Sequence, residues 1–347
     1  MPLAFGASLV AIADGPELLV YQASDGAPVW KQFCDGVLVG VAVVGQRVVT
    51  LDTEGAITWW AIADGRQEDT YGFGGSVSQL VAAADGVCGA VTPNGLSMTH
   101  GGTLSIPQVS AASFGPDSAS IGVGTSSGSF SAIDPTTGSA WGTVELGAAV
   151  TGVAWSAQGT WVVAAANRIA VVSGDGTEVI ASIAGPDSLR GLSISENGLL
   201  AASVCGSQQI ACFELHGHRA IGTIDLKRDI EGVAFGTAAM VAIAIDDGDV
   251  SFVDMYNGKI GRTEPHPGRG RNTWAVKVGI DQAAVRGAVA LNKAGGVPIA
   301  KYVPPPEDDE GGCMMTCLTL LAISIVVCMG CTGCSGIVYL LRTMGIF

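Results

Sequence analysis

Residues 150–184 read VTGVAWSAQGTWVVAAANRIAVVSGDGTEVIASIA, and comparable units recur from the first residues of the chain to Val303. Within this unit VTGVAWS, TWVVAAA, RIAVVS and EVIASIA are rich in Val, Ile, Ala and Trp, and AQG, AN and GDG stand between them. β-Branched and aromatic residues favour strands, while short Gly- and Asn-containing pairs favour tight hairpins, so each unit predicts a small antiparallel meander. A lone meander of this size buries little, and its segments are apolar on both faces, so it must stack against copies of itself. A period of roughly 40 residues therefore turns the chain into one closed ring rather than two separate cores.

The first unit holds SLVAIAD, ELLVYQA and PVWKQF, with a short strand at LAFGA before them. The second repeats this as VLVGVAVV, RVVTLD, AITWWAI and QEDTYGF. The third, over residues 76–107, is short and worn, which suggests a blade lacking part of its outer strand. Four clear copies follow, and then a partial eighth of three strands, TWAVKVGI, AAVRGAVAL and VPIAKYV. The expected fold is all-β: a ring of seven or eight four-stranded antiparallel blades over residues 1–303. Because the first unit opens with its own first strand, the ring should close by packing between blades.

GVAWSAQGTWVVAAA and GLSISENGLLAAS resemble the first two strands of WD40-type repeats, although no unit ends in Trp-Asp and the Gly-His dipeptide that such repeats place before the first strand is absent. YQASDGAPVWKQ and AIDPTTGSAWGTV are similar to repeats of the quinoprotein-like (PQQ-like) propellers. Both resemblances imply a β-propeller. The first implies a protein-protein interaction scaffold, and the second leaves a redox enzyme as the alternative.

The chemistry of the chain favours the scaffold. A quinoprotein site needs oxygen ligands for Ca²⁺ and a stacking platform, and these do not assemble in the sequence. Trp30 and Trp141 follow turn glycines in outer strands, where an aromatic side chain fills the gap between blades. Asp246, Asp247 and Asp249 occupy a hairpin turn that favours Asp for its backbone conformation. His216 and His218 form the one close His pair, with no third ligand nearby in sequence. Nucleophile-elbow and phosphate-loop motifs are missing, so no catalytic residue, cofactor or metal is expected. A formal charge of −14 with only 17 Lys and Arg argues against nucleic acid. Cys34, Cys88, Cys205 and Cys212 show no disulfide-framework spacing, which suits a reducing compartment.

Two segments stand apart from the repeats. GKIGRTEPHPGRGRNTWAVK gathers Lys259, Arg262, Arg269, Arg271 and Lys277 with His266 on an acidic chain, and Arg262, His266, Arg269 and Arg271 are candidates for contact with a partner or with lipid. The second begins with PPPEDDEGG, a linker at 304–312, and continues with residues 313–341, which carry no charge. As a helix, that run would rise about 43 Å against a hydrocarbon core of about 30 Å, so residues 313–347 are expected to form a single transmembrane helix and a short tail. Gly330, Gly333 and Gly336 recur every third residue and would let another helix approach, which allows a homo-oligomer. Cys313 and Cys317 near the boundary are candidates for acylation. The N-terminus has no basic region ahead of its apolar residues, so the reading is a tail-anchored protein whose propeller faces the cytoplasm.

Overall fold

The computed structural model describes residues 2–293 apart from 7–8, 24–26, 101, 117, 237–238, 246–249, 256–258 and 262–276. Blade one comprises β1 (Leu3–Gly6), β2 (Leu9–Asp14), β3 (Glu17–Gln22) and β4 (Pro28–Phe33), and blade two β5 (Leu38–Val44), β6 (Arg47–Asp52), β7 (Ala56–Ala61) and β8 (Gln67–Gly72). Blade three follows as β9 (Gln79–Ala82), β10 (Cys88–Thr92), β11 (Gly95–Met98) and β12 (Gly102–Leu104). Blade four is β13 (Val109–Phe114), β14 (Ile121–Thr125), β15 (Ser129–Ile133) and β16 (Ala140–Glu145). Blade five is β17 (Val150–Ser156), β18 (Thr160–Ala165), β19 (Arg168–Ser173) and β20 (Val179–Ala184). Blade six is β21 (Leu189–Ile194), β22 (Leu200–Cys205), β23 (Gln209–Glu214) and β24 (Arg219–Asp225). Blade seven is β25 (Ile230–Phe235), β26 (Met240–Ile245), β27 (Val250–Asp254) and β28 (Lys259–Gly261). Each blade is an antiparallel sheet whose strands lie in sequence order, and the first strands of successive blades line the axis.

The core consists of seven wedges, one at each contact between blades. This follows from segments that are apolar on both faces: β18, for example, sends Trp161 and Val163 to blade four and Val162 and Ala164 to blade six. The expected packing roles of the outer tryptophans hold. Trp30 donates its indole N–H to the Ile62 carbonyl at 2.8 Å and lies over Gly65 in blade two, while Trp141 packs on the wedge shared by blades four and five. Blade three is complete but small, and its outer strand β12 has only three residues.

Among the described residues closure uses no exchanged strand. β25 touches β1, and Val10, Ile12, Leu19 and Tyr21 of blade one pack with Ala242, Val250 and Phe252 of blade seven. Gly236 accommodates the Phe5 ring, whose nearest atom would stand 2.2 Å from a Cβ placed there.

The eighth unit is not a blade, and the count is seven. Its first expected strand becomes β29 (Lys277–Ile280), which pairs antiparallel with β24 as a fifth strand of blade six. Its second becomes helix α1 (Gln282–Lys293). The Asp281 carboxylate accepts hydrogen bonds from the Ala283 and Ala284 amides at 3.0 and 3.2 Å, an N-cap that satisfies orphan donors of the first turn. Ala284, Val285, Ala288 and Val289 are buried against blades six and seven, a spacing of one and four that marks a helix face. Arg219 fixes the junction, with Nε 2.7 Å from a Glu214 oxygen and a terminal nitrogen 3.5 Å from Asp281. Residues 294–347 lie outside the described residues, and with them the third expected strand, the linker and the anchor. Among the described residues no helix is long and apolar enough to cross a membrane.

Cys34, Cys88, Cys205 and Cys212 are free thiols. Burial pushes Cys34 up to about 11, with Asp35 and Asp52 adding to it, and pushes Cys88 up to about 12. Burial also raises Cys205 and Cys212. Since the thiolate is the reactive species, alkylation at pH 8 of the folded protein should be far slower at all four positions than in denaturant. Peptide mapping after a short iodoacetamide pulse checks this; native labelling of Cys88 or Cys212 at the denatured rate would contradict the packing.

Candidate binding face at the mouth of the central channel

Because every blade repeats the same up-and-down order, all first strands start on one face of the ring. The turns between second and third strands, and the connections from each blade to the next, open on that face. A local pattern recurs there: Leu38-Val39-Gly40, Val77-Ser78-Gln79, Val109-Ser110-Ala111, Val150-Thr151-Gly152, Leu189-Arg190-Gly191 and Ile230-Glu231-Gly232. The strand register slips at this point in blades two, four, five, six and seven. A bulge leaves one residue out of the ladder and re-aims its side chain. Val39, Ser110, Thr151 and Glu231 are the residues left out, and together with Ser78 and Arg190, which hold the same place in blades three and six, they line a cavity of about 700 Å³ on the axis.

The same residues tie neighbouring blades together. Ser110 donates its hydroxyl to the Val150 carbonyl of blade five at 2.7 Å, and Arg190 donates to the Ile230 carbonyl of blade seven, the equivalent atom two blades on. Gln79 uses both ends of its amide on blade four, donating to the Ala112 carbonyl at 3.0 Å and accepting from its N–H at 3.2 Å. The mouth is thus polar and braced.

One corner of this face is apolar and acidic. Phe33 is 69% exposed and Val37 51%, beside Asp35. The Val37 carbonyl accepts from Thr53 at 2.9 Å, which sets it against the turn Asp52–Gly55. The Gly55 carbonyl in turn accepts from Phe73, whose ring stands edge-on to exposed Tyr71 at 5.1 Å. Asp35 lies in the same connection as Val37, Asp52 and Glu54 lie in the turn that meets the Val37 carbonyl, and the negative charge of Asp35 and Asp52 is felt by Cys34. Lys31, on the same outer strand as Phe33, is paired with Glu17 at 2.6 Å.

No protein-family model matches the chain, and no curated protein matches it. Solved structures do. The β-propeller domain of Cps50 (Swd1) from Myceliophteria thermophila superposes with a TM-score of 0.64 at 12% identity, over 73% of this chain and 96% of that one. A chain of a mitotic checkpoint complex superposes with a TM-score of 0.63 at 14% identity, over 72% of this chain and 88% of that one. The fold is a seven-bladed β-propeller. The two solved structures lend no support to the quinoprotein-like resemblance, and Trp30 and Trp141, which belong to it, pack between blades.

The positions singled out in the sequence fare unevenly. Arg262, His266, Arg269 and Arg271 lie outside the described residues, as do Asp246, Asp247 and Asp249, Cys313 and Cys317, and Gly330, Gly333 and Gly336. β28 ends and β29 begins on the face that carries the channel mouth, so the basic segment connects two points of that face. His216 and His218 stand exposed in a turn. Among the described residues no group of three His, Cys, Asp or Glu is placed to hold a metal ion. The sequence reading missed the bulge residues and the Phe33–Tyr71 corner. The recurring small residue after a variable one, as in VGV, TGV, RGL and EGV, was the signal for the first.

Proposed function

We propose that this protein is a membrane-tethered interaction scaffold that presents the channel-mouth face of its propeller to a protein partner. The exposed corner of Phe33, Val37 and Tyr71, with Asp35, Asp52 and Glu54 in its connection and turn, carries this reading. Large exposed apolar groups in a charged surround mark interaction sites, and the charge suits a partner segment that sets Lys or Arg beside apolar anchors. The WD40-like fold supports a binding role, since its sheets leave loops clustered on one face over a braced channel. The tether rests on the uncharged run of residues 313–341, and the cytoplasmic orientation on the four free thiols of the propeller, which suit a reducing compartment. Gly330, Gly333 and Gly336 would then serve helix packing within the membrane, and Cys313 with Cys317 would be open to acylation.

Two measurements test the two halves. Deleting residues 313–347 should move the protein from the membrane fraction to the supernatant with its strand content intact by circular dichroism; retention in the membrane would remove the tether. Affinity purification of the full chain in detergent should recover a partner that is reduced about tenfold or more by Phe33→Ser with Tyr71→Ser, at unchanged melting temperature because both side chains are exposed. Equal recovery by parent and variant would remove this corner as the docking site.

A further inference from the structure

We propose that the outer edge of blade five is a strand-addition site, which takes an extended, uncharged, β-branched segment of a partner protein as an antiparallel fifth strand. Every blade ends in a strand with one row of backbone groups unpaired, and natural proteins blunt such edges with charge, proline, shortness or cover. Six blades here do so. β4 starts at Pro28 and carries Lys31, and β8 carries Glu68 and Asp69. β12 and β28 have three residues each. β16 ends in Glu145, and the Asp175–Gly176 turn presses on it so closely that a Cβ at Gly142 would lie 2.5 Å from the Asp175 oxygen. β24 is covered by β29.

β20 is the exception. Its six residues, VIASIA, hold no charge and no proline, and among the described residues no strand pairs with its outer side. Val179 is 37% and Ile180 48% exposed. The neighbouring blade demonstrates what such an edge accepts. β29 pairs with β24 from Gly222 to Asp225, just beyond the bulge in that strand's pairing with β23. β20 has the corresponding bulge against β19, and Ile183 sits opposite Ile169 as Ile224 sits opposite Ile210. Ala181 to Ala184 therefore offer the equivalent backbone row.

The chemistry of the occupant follows from the comparison. On β24 the residue opposite Lys277 is Asp225, but the matching position on β20 is Ala184, so no cation is required. Val278 and Ile280 alternate along β29, and alternate β-branched side chains suit a segment lying beside Val179 and Ile180. A second copy of this propeller fits less well. Two exposed side chains fall far short of the roughly 1,200 Å² that a stable pair of folded domains buries, whereas strand addition draws its affinity from main-chain hydrogen bonds.

The test uses the full chain in detergent and the capped peptide AVTVGI, which is residues 275–280 with the lysine replaced by threonine. At about 1 mM peptide, the outward-facing amides of residues 179–184 should exchange about tenfold more slowly by hydrogen-exchange mass spectrometry. The same peptide N-methylated at alternate amides should give no protection, and Ser182→Lys, an exposed position, should abolish protection without lowering the melting temperature. Unchanged exchange at β20, equal protection by the N-methylated peptide, or protection at 219–225 in place of β20 would each overturn the proposal. Because the readout is confined to β20, failure here leaves the Phe33–Tyr71 corner untouched.

Discussion

Trp161→Ala should cost about 3–5 kcal/mol of folding stability, the range for deleting a buried aromatic side chain. Trp161 is fully buried, and its wedge joins two blades rather than two layers of one sheet. Its ring meets Trp155 edge-on at 4.7 Å within blade five and Phe130 of blade four at 5.8 Å. The fit depends on Gly122, where a Cβ would stand 2.7 Å from the indole. The indole N–H also donates to the Gly174 carbonyl at 2.9 Å, so truncation removes a donor along with the packing. Trp161→Phe keeps a ring in the wedge and should lose less than half as much. Urea denaturation followed by far-ultraviolet circular dichroism measures both. A loss below about 1 kcal/mol for the alanine variant would mean that the wedge collapses to fill the space.

Such a side chain could be placed from sequence because strand period and repeat period agree. TWVVAAA follows a Gly turn and is apolar at every position from Trp161 on, which makes it a strand covered on both faces, and only a neighbouring copy can cover the second face. The seven blades, the first strand at LAFGA and the outer tryptophans were legible for this reason. The eighth unit failed where period was ambiguous. AAVRGAVAL is apolar often enough to imitate a strand, and the deciding residue, Asp281, acts through a cap that a repeat-based reading passes over.

The candidate face was less legible than the ring. Phe33, Val37, Tyr71 and Phe73 belong to two different repeats, and each looks in sequence like one more apolar residue of a strand or its end. The exposure of Phe33 and Tyr71 is set by which side of an outer strand they occupy, and a register slip of one residue reverses that side. The outer strands of blades one and two pair with their neighbours through such slips, opposite Val20 and Tyr21 of β3 and opposite Trp59 and Trp60 of β7. Ser110 was hidden similarly, since a bulge turns it to the axis at a position where simple alternation assigns no role.

Gly40→Ala and Gly152→Ala should each destabilise the ring by about 1–3 kcal/mol, the cost of overpacking a close contact. A Cβ on Gly40 would lie 2.4 Å from the Leu80 Cβ, and one on Gly152 would lie 2.7 Å from the Leu192 Cβ and 3.0 Å from its backbone nitrogen. None of these atoms is the free end of a flexible side chain, so the first strands of blades two and three, or five and six, must separate. In a ring closed by packing alone, a gap opened at one contact is taken up at others, and the channel mouth changes shape with it. A double-mutant cycle isolates the cause. If the two Cβ atoms collide, Leu80→Gly should be less damaging in the Gly40→Ala background than in the parent, with a coupling of about 1 kcal/mol or more. Gly45→Ala serves as the contrast, because φ there is +57° with nothing within 4 Å, and its cost is backbone strain that Leu80→Gly cannot relieve. Simple additivity at Gly40 and Leu80 would show that the inner strands have room to spare, and the recurring glycine of the GVA motif would then need another explanation.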